Sequence, residues 1–193
     1  EPALPAKILQ YGDVVLRQNL PAQKQRGERQ LRYWKDALSG TTGLLDLPTD
    51  RPRAAAASAE GARYVWRFPD ELRAATAELA RVEGATQFML MLCAFQALLA
   101  RWSGDNDIVI GTPVANRRTM EEEAVVGLFV NTVAVRADFS DDPSFRQALA
   151  RSKSHVLYAL ENAEAPLEHV IDQLSLERVP GRSPLFQTMF VFQ

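Results

Sequence analysis

The sequence predicts an α/β fold, an α+β sandwich in which helices cover a mixed β-sheet. Two runs of mostly apolar, β-branched residues, at 108–114 and 126–136, are typical of buried strands. Segments 69–84 and 87–104 carry the capping signals and the apolar content of helices. Strands and helices do not alternate strictly along the chain, which argues against a sheet built only from parallel βαβ units.

The composition is that of an ordinary globular domain and argues against several functional classes. The chain has 193 residues, of which 47% are hydrophobic and 24% are charged, and its net charge is −2. This balance gives no field that attracts nucleic acid or an anionic membrane. We therefore expect a cytoplasmic protein with neither a nucleic-acid nor a membrane partner. The single cysteine, Cys93, lies in an apolar helical run and is expected to be a buried thiol rather than a nucleophile.

The first 60 residues are predicted to be a connector that contains a helix. Residues 1–25 show little periodicity and are expected to be extended, ending in a short helix. Residues 28–39 place apolar side chains at helical spacing, and Gly40 follows as a candidate C-cap. Residues 40–61 are rich in Pro, Gly, Asp and Ala, which indicates an irregular surface segment.

Residues 61–193 are predicted to form the main unit of the chain. A strand is expected at 62–68, followed by a helix that begins at Pro69 and ends at Gly84. Thr86 is the candidate cap of the next helix. Apolar residues cover almost the whole circumference of this helix, so it should lie in the core.

Two further helices and a final strand complete the predicted order of elements. Asp142 or Ser144 is expected to start a long helix, and Pro166 a shorter one. Residues 178–193 turn through Pro and Gly into the expected last strand. The core-facing stripe of the long helix is predicted to consist of Phe145, Leu149, Val156, Leu157 and Leu160.

Common catalytic and metal-binding motifs are absent from the sequence. It contains no nucleophile elbow, no phosphate-binding loop, no dinucleotide fingerprint and no paired cysteines. The two histidines, His155 and His169, have no His or Cys neighbour at ligand spacing, so we expect no metal site. The residues alone do not make a complete active site.

Polar residues embedded in apolar strands are the remaining candidates for a site. Asn131 lies within the strand predicted at 126–136, where strict alternation puts its amide on one face with Phe129. A buried amide needs hydrogen bonds, so Asn131 either ties down a neighbouring loop or sheet edge, or offers its amide to a ligand in a channel. The other predicted strand ends at Asn116 and Arg117. This position fits either a strand end that is exposed to solvent or the polar entrance of a binding site.

Several segments, taken in order, resemble the motifs of nonribosomal peptide synthetase condensation domains. "VGLFVNTVAVR" is similar to the family's G-x-F-V-N-T motif and closes on Arg136. "YGDVV" resembles the Y-x-D motif and keeps Tyr11 and Asp13, although Arg17 follows where Trp is usual. Two further segments are also similar to the corresponding segments of the family: "ERQLRYWKDALSG", which contains Trp34, and "LLDLPTDRPR".

The resemblance continues through the second half of the chain. "IVIGTPVANR" contains Asn116 and Arg117 and matches the family closely. "ENAEAPLEHVI" resembles the motif H/N-Q-D-x-P-F-E, with Ala163 and Leu167 as departures. "RVPGRSPLFQTMFVFQ" matches the last motif, including at Arg182, with Val179 and Gly181 as departures.

The resemblance implies one lobe of a two-lobed, chloramphenicol-acetyltransferase-like fold with a reaction channel between the lobes. Residues 61–193 would be the carboxy-terminal lobe, without the upstream lobe and the final strands, and residues 1–60 an inter-lobe connector. The family's H-H-x-x-x-D-G motif, which carries the catalytic His, would precede the Y-x-D motif and is not in this sequence. No catalytic residue is therefore assigned, and the isolated chain is expected to be inactive.

The activity implied by the resemblance is amide-bond formation between a donor thioester and an acceptor amine, each held by the phosphopantetheine arm of a carrier protein. The implied partners are the amino-terminal lobe, donor and acceptor peptidyl carrier proteins, and an adjacent adenylation domain, with no cofactor bound directly by this chain. Asn131, Phe129 and Thr132 are expected to line the channel. Inter-lobe or structural roles are expected for Tyr11, Asp13, Trp34, Asn116, Arg117, Arg136 and Arg182.

Two alternatives stay open from the sequence. The departures at Arg17, Ala163 and Val179 fit a non-catalytic docking module that uses the same fold to recruit a partner protein. A related acyltransferase with a soluble thioester donor is a weaker alternative. In each case a lobe that packs against another should expose an apolar face, so the isolated chain is expected to self-associate or to need a partner.

Overall fold

Seven helices surround a small sheet in the part of the chain that the structure describes, residues 9–51 and 60–193 of a computed structural model. The predicted class, helices over a mixed sheet, is confirmed. In chain order the elements are α1 (Tyr11–Gln18), α2 (Pro21–Ala37), α3 (Asp70–Val82), α4 (Gln87–Ser103), β1 (Asp107–Val114), α5 (Met120–Glu123), β2 (Asn131–Asp138), α6 (Phe145–Glu161) and α7 (Leu167–Leu174).

The sheet is centred on β1. Strand β2 pairs with it antiparallel, so that Thr112 lies opposite Val133 and Val114 lies opposite Asn131. The extended segment 188–190 joins β1 in the parallel direction, because the N–H of Gly111 donates to one of its carbonyls and the carbonyl of Gly111 accepts from one of its amides. A Cβ at position 111 would overlap the ring of a packed phenylalanine, so only glycine fits there.

Local capping chemistry sets where the core helices α4 and α6 begin. The hydroxyl of Thr86 accepts the N–H of Met89 at 3.2 Å, which confirms the cap predicted for α4. Ser144 accepts the N–H of Gln147, and the Gln147 side chain accepts the N–H of Ser144, which makes a capping box. Ser144 rather than Asp142 therefore starts α6.

The main hydrophobic core joins α2, α4, the sheet and α6. Helix α4 lies in the core along one side, where its fully buried Gln96 donates from Nε2 to the carbonyl of Val135 at 3.1 Å. The prediction of burial all round is only partly met, because Leu98 and Trp102 are 46% and 65% exposed. The same core contains Trp34 and Leu38, so part of the predicted connector packs with the predicted lobe. The division of the chain at residue 60 stays a prediction.

The predictions for strands are wrong in three places. Residues 62–68 form no strand, because within the described residues only β1 and β2 form a sheet, and Tyr64 is 90% exposed. The strand predicted at 126–136 begins only at Asn131, since the preceding residues bend to bury Phe129. The last strand, predicted to follow a turn within residues 178–193, is reduced to a single bridge to β1. Each error concerns the pairing of a strand with a neighbouring strand. The sequence of a single strand does not show whether such a neighbour exists.

The predictions for helices are wrong in two places. The segment expected to be extended at the start of the chain contains α1 and the beginning of α2, where Pro21 occupies the first helical turn. The stripe expected on α6 is buried only at Leu149 and Val156. Small side chains make up the rest of the buried face and let the helix approach its neighbours closely. They are Ala148, Ser152 and Ala159.

The capping box of α6 gives a direct test of this account. Ser144→Ala removes the side-chain acceptor and should lower the free energy of unfolding by about 1 kcal/mol. Ser154→Ala, at an exposed position on the same helix, is the matched control and should change it by less than about 0.5 kcal/mol. Urea unfolding followed by circular dichroism measures both, and equal effects would contradict the assigned cap.

Candidate functional site

Asn131, the first residue of β2, holds the connection between α6 and α7. Its Nδ2 donates to the carbonyl of Ala163 at 2.8 Å and to the carbonyl of Ala165 at 2.7 Å. Both alanines are buried, so their carbonyls need partners inside the protein. The geometry therefore gives Asn131 the first of the two roles considered above, the tying of a neighbouring loop. Its role in a channel stays a prediction.

Helix α2 binds the same connection from the other side. The indole Nε1 of Trp34 donates to the carbonyl of Asn162 at 2.8 Å, and Gln30 donates to the carbonyl of Glu161 at 3.2 Å. Burial, followed by the charge of Glu161, raises the pKa of the neighbouring Tyr33 hydroxyl to about 12. Trp34 thus has a structural role in the contact between α2 and the end of α6.

Arg136 joins β2, β1 and the end of α2. Its guanidinium makes a two-point contact with Asp107, with Nε to Oδ1 at 2.6 Å and Nη2 to Oδ2 at 3.1 Å. Nη1 also donates to the carbonyls of Ala37 and Ser39, at 3.3 and 2.8 Å. The planar fork of arginine makes these contacts simultaneously, which lysine could not do. Arg136 is therefore a structural residue at the carboxyl end of α2.

Arg117 and Phe129 anchor the loop between β1 and β2. The guanidinium lies 4.1 Å from the centroid of the Phe129 ring, in a cation–π contact. It donates to the carbonyls of Glu122, Val125 and Gly127, the last two at 2.9 and 3.4 Å. These contacts direct the guanidinium into its own loop. An approach of Arg117 to another lobe stays a prediction.

Helix α1 packs onto this loop through Tyr11. The ring of Tyr11 meets Phe129 edge to face at 5.5 Å, and its hydroxyl donates to the carbonyl of Leu128 at 2.9 Å. A Cβ on Gly127 would overlap the Tyr11 ring, so the Y-x-D and G-x-F-V-N-T segments fit together directly. Asp13 accepts the N–H of the residue that precedes α1 and closes its first turn. We call Tyr11, Arg117 and Phe129 the arginine–aromatic cluster.

The other predicted site residues have separate positions. Arg182 pairs with the exposed Asp46 at 2.7 Å and pins the segment that follows α2. Thr132 is half-buried in β2, opposite Pro113. Asn116 has a φ of 52°, in the left-handed region that asparagine tolerates better than most residues. The structure therefore does not gather the predicted residues into one catalytic cluster.

Two adjoining cavities lie at the carboxyl end of β1. One, of about 230 Å³, is mainly apolar and lies between the sheet and α6. The other, of about 340 Å³, is lined half by apolar residues and half by Asn116, Arg117, Arg118 and Glu164, and we call it the polar cavity after these four. Val114 and Leu160 line both cavities, which places them side by side.

Glu164 organises the charges around the polar cavity. It forms ion pairs with Arg26 at 2.9 Å and with Arg118. Burial and the nearby charge of Arg26 lower the pKa of the Arg118 guanidinium. The carboxylate of Glu122 accepts the N–H of Arg118 at 2.7 Å. Arg117, Arg118 and Glu164 are the charged residues among those that line this cavity.

Sequence reasoning missed three glutamines that act as ties, namely Gln30, Gln96 and Gln187. Gln187 accepts the N–H of Leu45 at 2.6 Å and donates to the carbonyl of Gly43 at 2.8 Å, which fixes the segment after α2. Each of the three lies next to apolar residues in the sequence. That pattern is the signal which would have found them, because an amide beside apolar residues is expected to be at least partly buried and then needs bonded partners.

Neither the cysteine nor the histidines have the surroundings of a reactive group, and the described residues form no metal centre. Burial raises the pKa of the Cys93 thiol to about 11, so it stays protonated at neutral pH. Nδ1 of His155 lies 2.8 Å from the carbonyl of Arg136, and His169 is exposed on α7. Within residues 9–51 and 60–193 no group of three His, Cys, Asp or Glu side chains has the geometry of a metal site.

No single helix among the described ones is long and apolar enough to cross a membrane. Only when taken together do α3 and α4 have the length and apolar composition of a membrane-spanning segment. The two helices are bent by 105° at the break between them.

Comparisons with known proteins agree on one family. The model of the condensation domain family matches residues 1–193. One of the linear gramicidin synthase proteins of Brevibacillus parabrevis is 46% identical over 192 residues, which cover 100% of this chain and 2% of that protein. Tyrocidine synthase 2 of the same organism is 36% identical over 191 residues, which cover 99% of this chain and 5% of that protein.

Solved structures agree with the sequence comparison. The X-domain from teicoplanin biosynthesis superposes with a TM-score of 0.83 at 28% identity, over 94% of this chain and 41% of that one. A holo four-domain nonribosomal peptide synthetase bound to AMP and glycine gives a TM-score of 0.81 at 27% identity, over 89% of this chain and 13% of that one. The chain therefore spans much less than two thirds of each of these proteins.

The loop-tying role of Asn131 predicts a graded loss of stability. Asn131→Ala leaves two buried carbonyls unpaired and should lower the free energy of unfolding by about 1–3 kcal/mol. Asn131→Asp should lower it further at neutral pH, because a carboxylate would then face two carbonyl oxygens. Urea unfolding measures both effects.

The matched control is Asn19→Ala, which removes a single bond to an exposed turn of α1 and should change the free energy of unfolding by less than about 0.5 kcal/mol. An Asn131→Ala variant as stable as the unsubstituted protein would contradict the assigned role.

Proposed function

This chain belongs to the condensation domain family of nonribosomal peptide synthetases, and we propose that it forms one lobe of a domain that makes amide bonds between carrier-tethered substrates. The family match over residues 1–193 is the observation that carries the proposal. The lobe has the chloramphenicol-acetyltransferase-like fold and supplies one wall of the reaction channel. The amino-terminal lobe supplies the other wall together with the family's catalytic histidine.

The reaction joins two substrates on the phosphopantetheine arms of donor and acceptor carrier proteins, which an adjacent adenylation domain loads. The acceptor amine attacks the carbonyl carbon of the donor thioester. An amide bond forms, the carbon–sulfur bond breaks, the donor thiol is released and the amine loses a proton. Positioning supplies most of the acceleration, since effective molarities of about 10⁵ M are reached by well-oriented pairs. The lobe binds no cofactor of its own and acts through position, and its cytoplasmic location stays a prediction.

The loop between β1 and β2 supports the proposed contact with another lobe. Beyond the arginine–aromatic cluster it turns three apolar side chains to solvent, with Val126 94%, Leu128 76% and Val130 58% exposed. The buried ring of Phe129 fixes this segment, so that the apolar side chains at alternate positions point outward. Exposed apolar side chains grouped in this way are typical of a surface that packs against a partner. We assign this surface to the amino-terminal lobe.

The face of the sheet that carries Asn131 supports the proposed channel wall. Asn131 lies opposite Val114, which lines both cavities, and its amide holds Ala163 at the wall of the polar cavity. Its proposed part in the channel is thus to fix the shape of the wall. Phe129 and Thr132, on either side of it in sequence, extend the same region toward the apolar loop.

A docking module without catalysis is the second candidate. The X-domain from teicoplanin biosynthesis, which resembles this chain, has been solved in a complex with OxyB. The similarity in that complex is 29% identity at a TM-score of 0.83, over 94% of this chain. At least one protein of this fold therefore binds a second protein. Recruitment of a partner protein is thus the alternative to catalysis.

Amide formation in the complete module tests the proposal. The synthetase module that contains this chain is loaded with aminoacyl groups on its donor and acceptor carriers, and the dipeptidyl thioester is measured by mass spectrometry. We expect product that requires both loaded carriers and that disappears when the family's catalytic histidine in the upstream lobe is replaced by alanine. A module that loads both carriers and makes no dipeptide would overturn the proposal and favour the docking module.

The apolar loop gives a prediction for the contact between lobes. With the two lobes produced as separate chains, Val126→Ser should weaken their association by about tenfold, because burying a valine contributes roughly 1.5 kcal/mol. Isothermal titration calorimetry measures the dissociation constant. Val82→Ser, at an exposed valine that ends α3, is the control and should leave it unchanged. Equal effects of the two substitutions would contradict the assigned surface.

A further inference from the structure

Every third residue of α2 from position 26 to position 35 is a cation. Residues three apart on a helix are neighbours and form one oblique row on its surface. We call this row the basic ridge; its members are Arg26, Arg29, Arg32 and Lys35. At 1.5 Å per residue the ridge extends over about 13 Å of the helix. The net charge of the whole chain is −2, so the ridge is a local concentration of positive charge.

The last three cations of the ridge are exposed and unpaired. Arg29, Arg32 and Lys35 form no ion pair with any residue that the structure describes, although the acids Glu28 and Asp36 are exposed on the same helix. The two arginines of α3, by contrast, each pair with an acid three positions earlier. The charge of the ridge is therefore not neutralised within its own helix and is available to a partner.

The ridge begins beside the polar cavity. Arg26, its first member, pairs at 2.9 Å with Glu164, which lines that cavity. Arg118, another residue of the lining, pairs with the same carboxylate. The row of positive charge therefore leads from the edge of the polar cavity along the exposed side of α2.

The character of this surface suits a partner that binds and leaves repeatedly. Along Pro21–Ala37, all of which the structure describes, no large apolar side chain is exposed. The ridge differs in this respect from the apolar loop assigned to the other lobe, whose burial suits a lasting contact. Exposed charges add little to lasting affinity and mainly raise the rate of encounter and fix the orientation of the partner.

We propose that the basic ridge is a docking surface for a carrier protein. In the proposed function the carriers are the partners that must dock and leave in every cycle, and each brings an anionic phosphodiester on its phosphopantetheine arm. The phosphate and exposed carboxylates of the carrier would be the groups that meet the ridge. The inference rests on the proposed amide-forming function and adds to it the place where one carrier docks.

Charge reversal on the ridge tests the proposal. The complete module, whose own carrier holds the acceptor, is supplied with loaded donor carrier on a separate protein, and dipeptidyl thioester is measured by mass spectrometry. If the donor carrier docks on the ridge, Arg29→Glu combined with Arg32→Glu should raise KM for the donor about tenfold and change kcat less than about twofold. If the acceptor carrier docks there, kcat should fall about tenfold and KM should change less than about twofold.

Salt and a conservative variant distinguish docking from a structural fault. Raising the salt concentration from about 50 to about 300 mM should move the affected constant of the unsubstituted module toward the value of the variant, because salt screens exposed charges. The variant itself should respond much less. Arg29→Lys combined with Arg32→Lys keeps both charges and should retain the activity of the unsubstituted module. A loss in this lysine variant equal to that in the glutamate variant would overturn docking by charge.

A matched control makes the same change of net charge elsewhere. Arg63→Glu combined with Arg101→Glu alters two exposed arginines that have no ion pair among the described residues. This control should leave KM and kcat unchanged. Equal effects of the control and of the ridge variant would show a general effect of net charge and would overturn the docking surface.

The remaining outcomes separate this inference from the proposed function. An active module in which the ridge variant changes neither KM nor kcat overturns docking on the ridge. A variant that loads its own carrier more slowly, but joins preloaded substrates at the normal rate, assigns the ridge to the adenylation domain and also overturns the proposal. A module that makes no dipeptide before any substitution overturns the proposed function, and this inference with it.

Discussion

The structure depends on how the backbone of the connection between α6 and α7 is satisfied. This connection is irregular and partly buried, so its carbonyls find no partners within a helix or a sheet. Asn131 supplies two donors from the sheet, and Trp34 and Gln30 supply donors from α2. The connection thereby joins three elements that are distant in sequence. It also forms part of the wall of the polar cavity at the end of β1.

The same solution recurs where other irregular segments meet the core. Arg136 donates to carbonyls at the end of α2 while it pairs with Asp107, and Arg117 donates to carbonyls of its own loop while it covers Phe129. Several residues that define the family's motifs are therefore ties between a side chain and a distant backbone. Their identity is constrained because a shorter or differently shaped donor would leave buried carbonyls unpaired.

Under the proposed function, these ties shape two surfaces of the lobe. The arginine–aromatic cluster buries Phe129 and thereby holds neighbouring apolar side chains outward, on the surface assigned to the other lobe. The Asn131 tie holds the loop that borders the polar cavity. The proposed joining of two tethered substrates needs such fixed walls more than it needs a reactive side chain on this lobe, because the proposed contribution is position.

The sequence by itself determined most of the helices, the strand β1 and the family. Capping by Thr86 and Ser144 involves residues only three positions apart in sequence. The apolar pattern of α4 is likewise local. Such features can be recognised in the sequence without knowledge of the fold. The ordered motifs identify the family for the same reason, since each motif is a short contiguous segment of the sequence. Asn131 was recognised as a residue that must be bonded, although its partners were not.

Only the tertiary structure decided which segments pair and what the polar residues hold. Residues 62–68 have the composition of a strand but no neighbour in the described sheet, and the stripe on α6 shifted toward Ala148 and Ala159. The partners of Asn131 lie more than thirty residues away along the chain. Pairing, burial and hydrogen bonds to distant carbonyls depend on contacts between remote segments, and local sequence patterns carry no information about which remote segments meet.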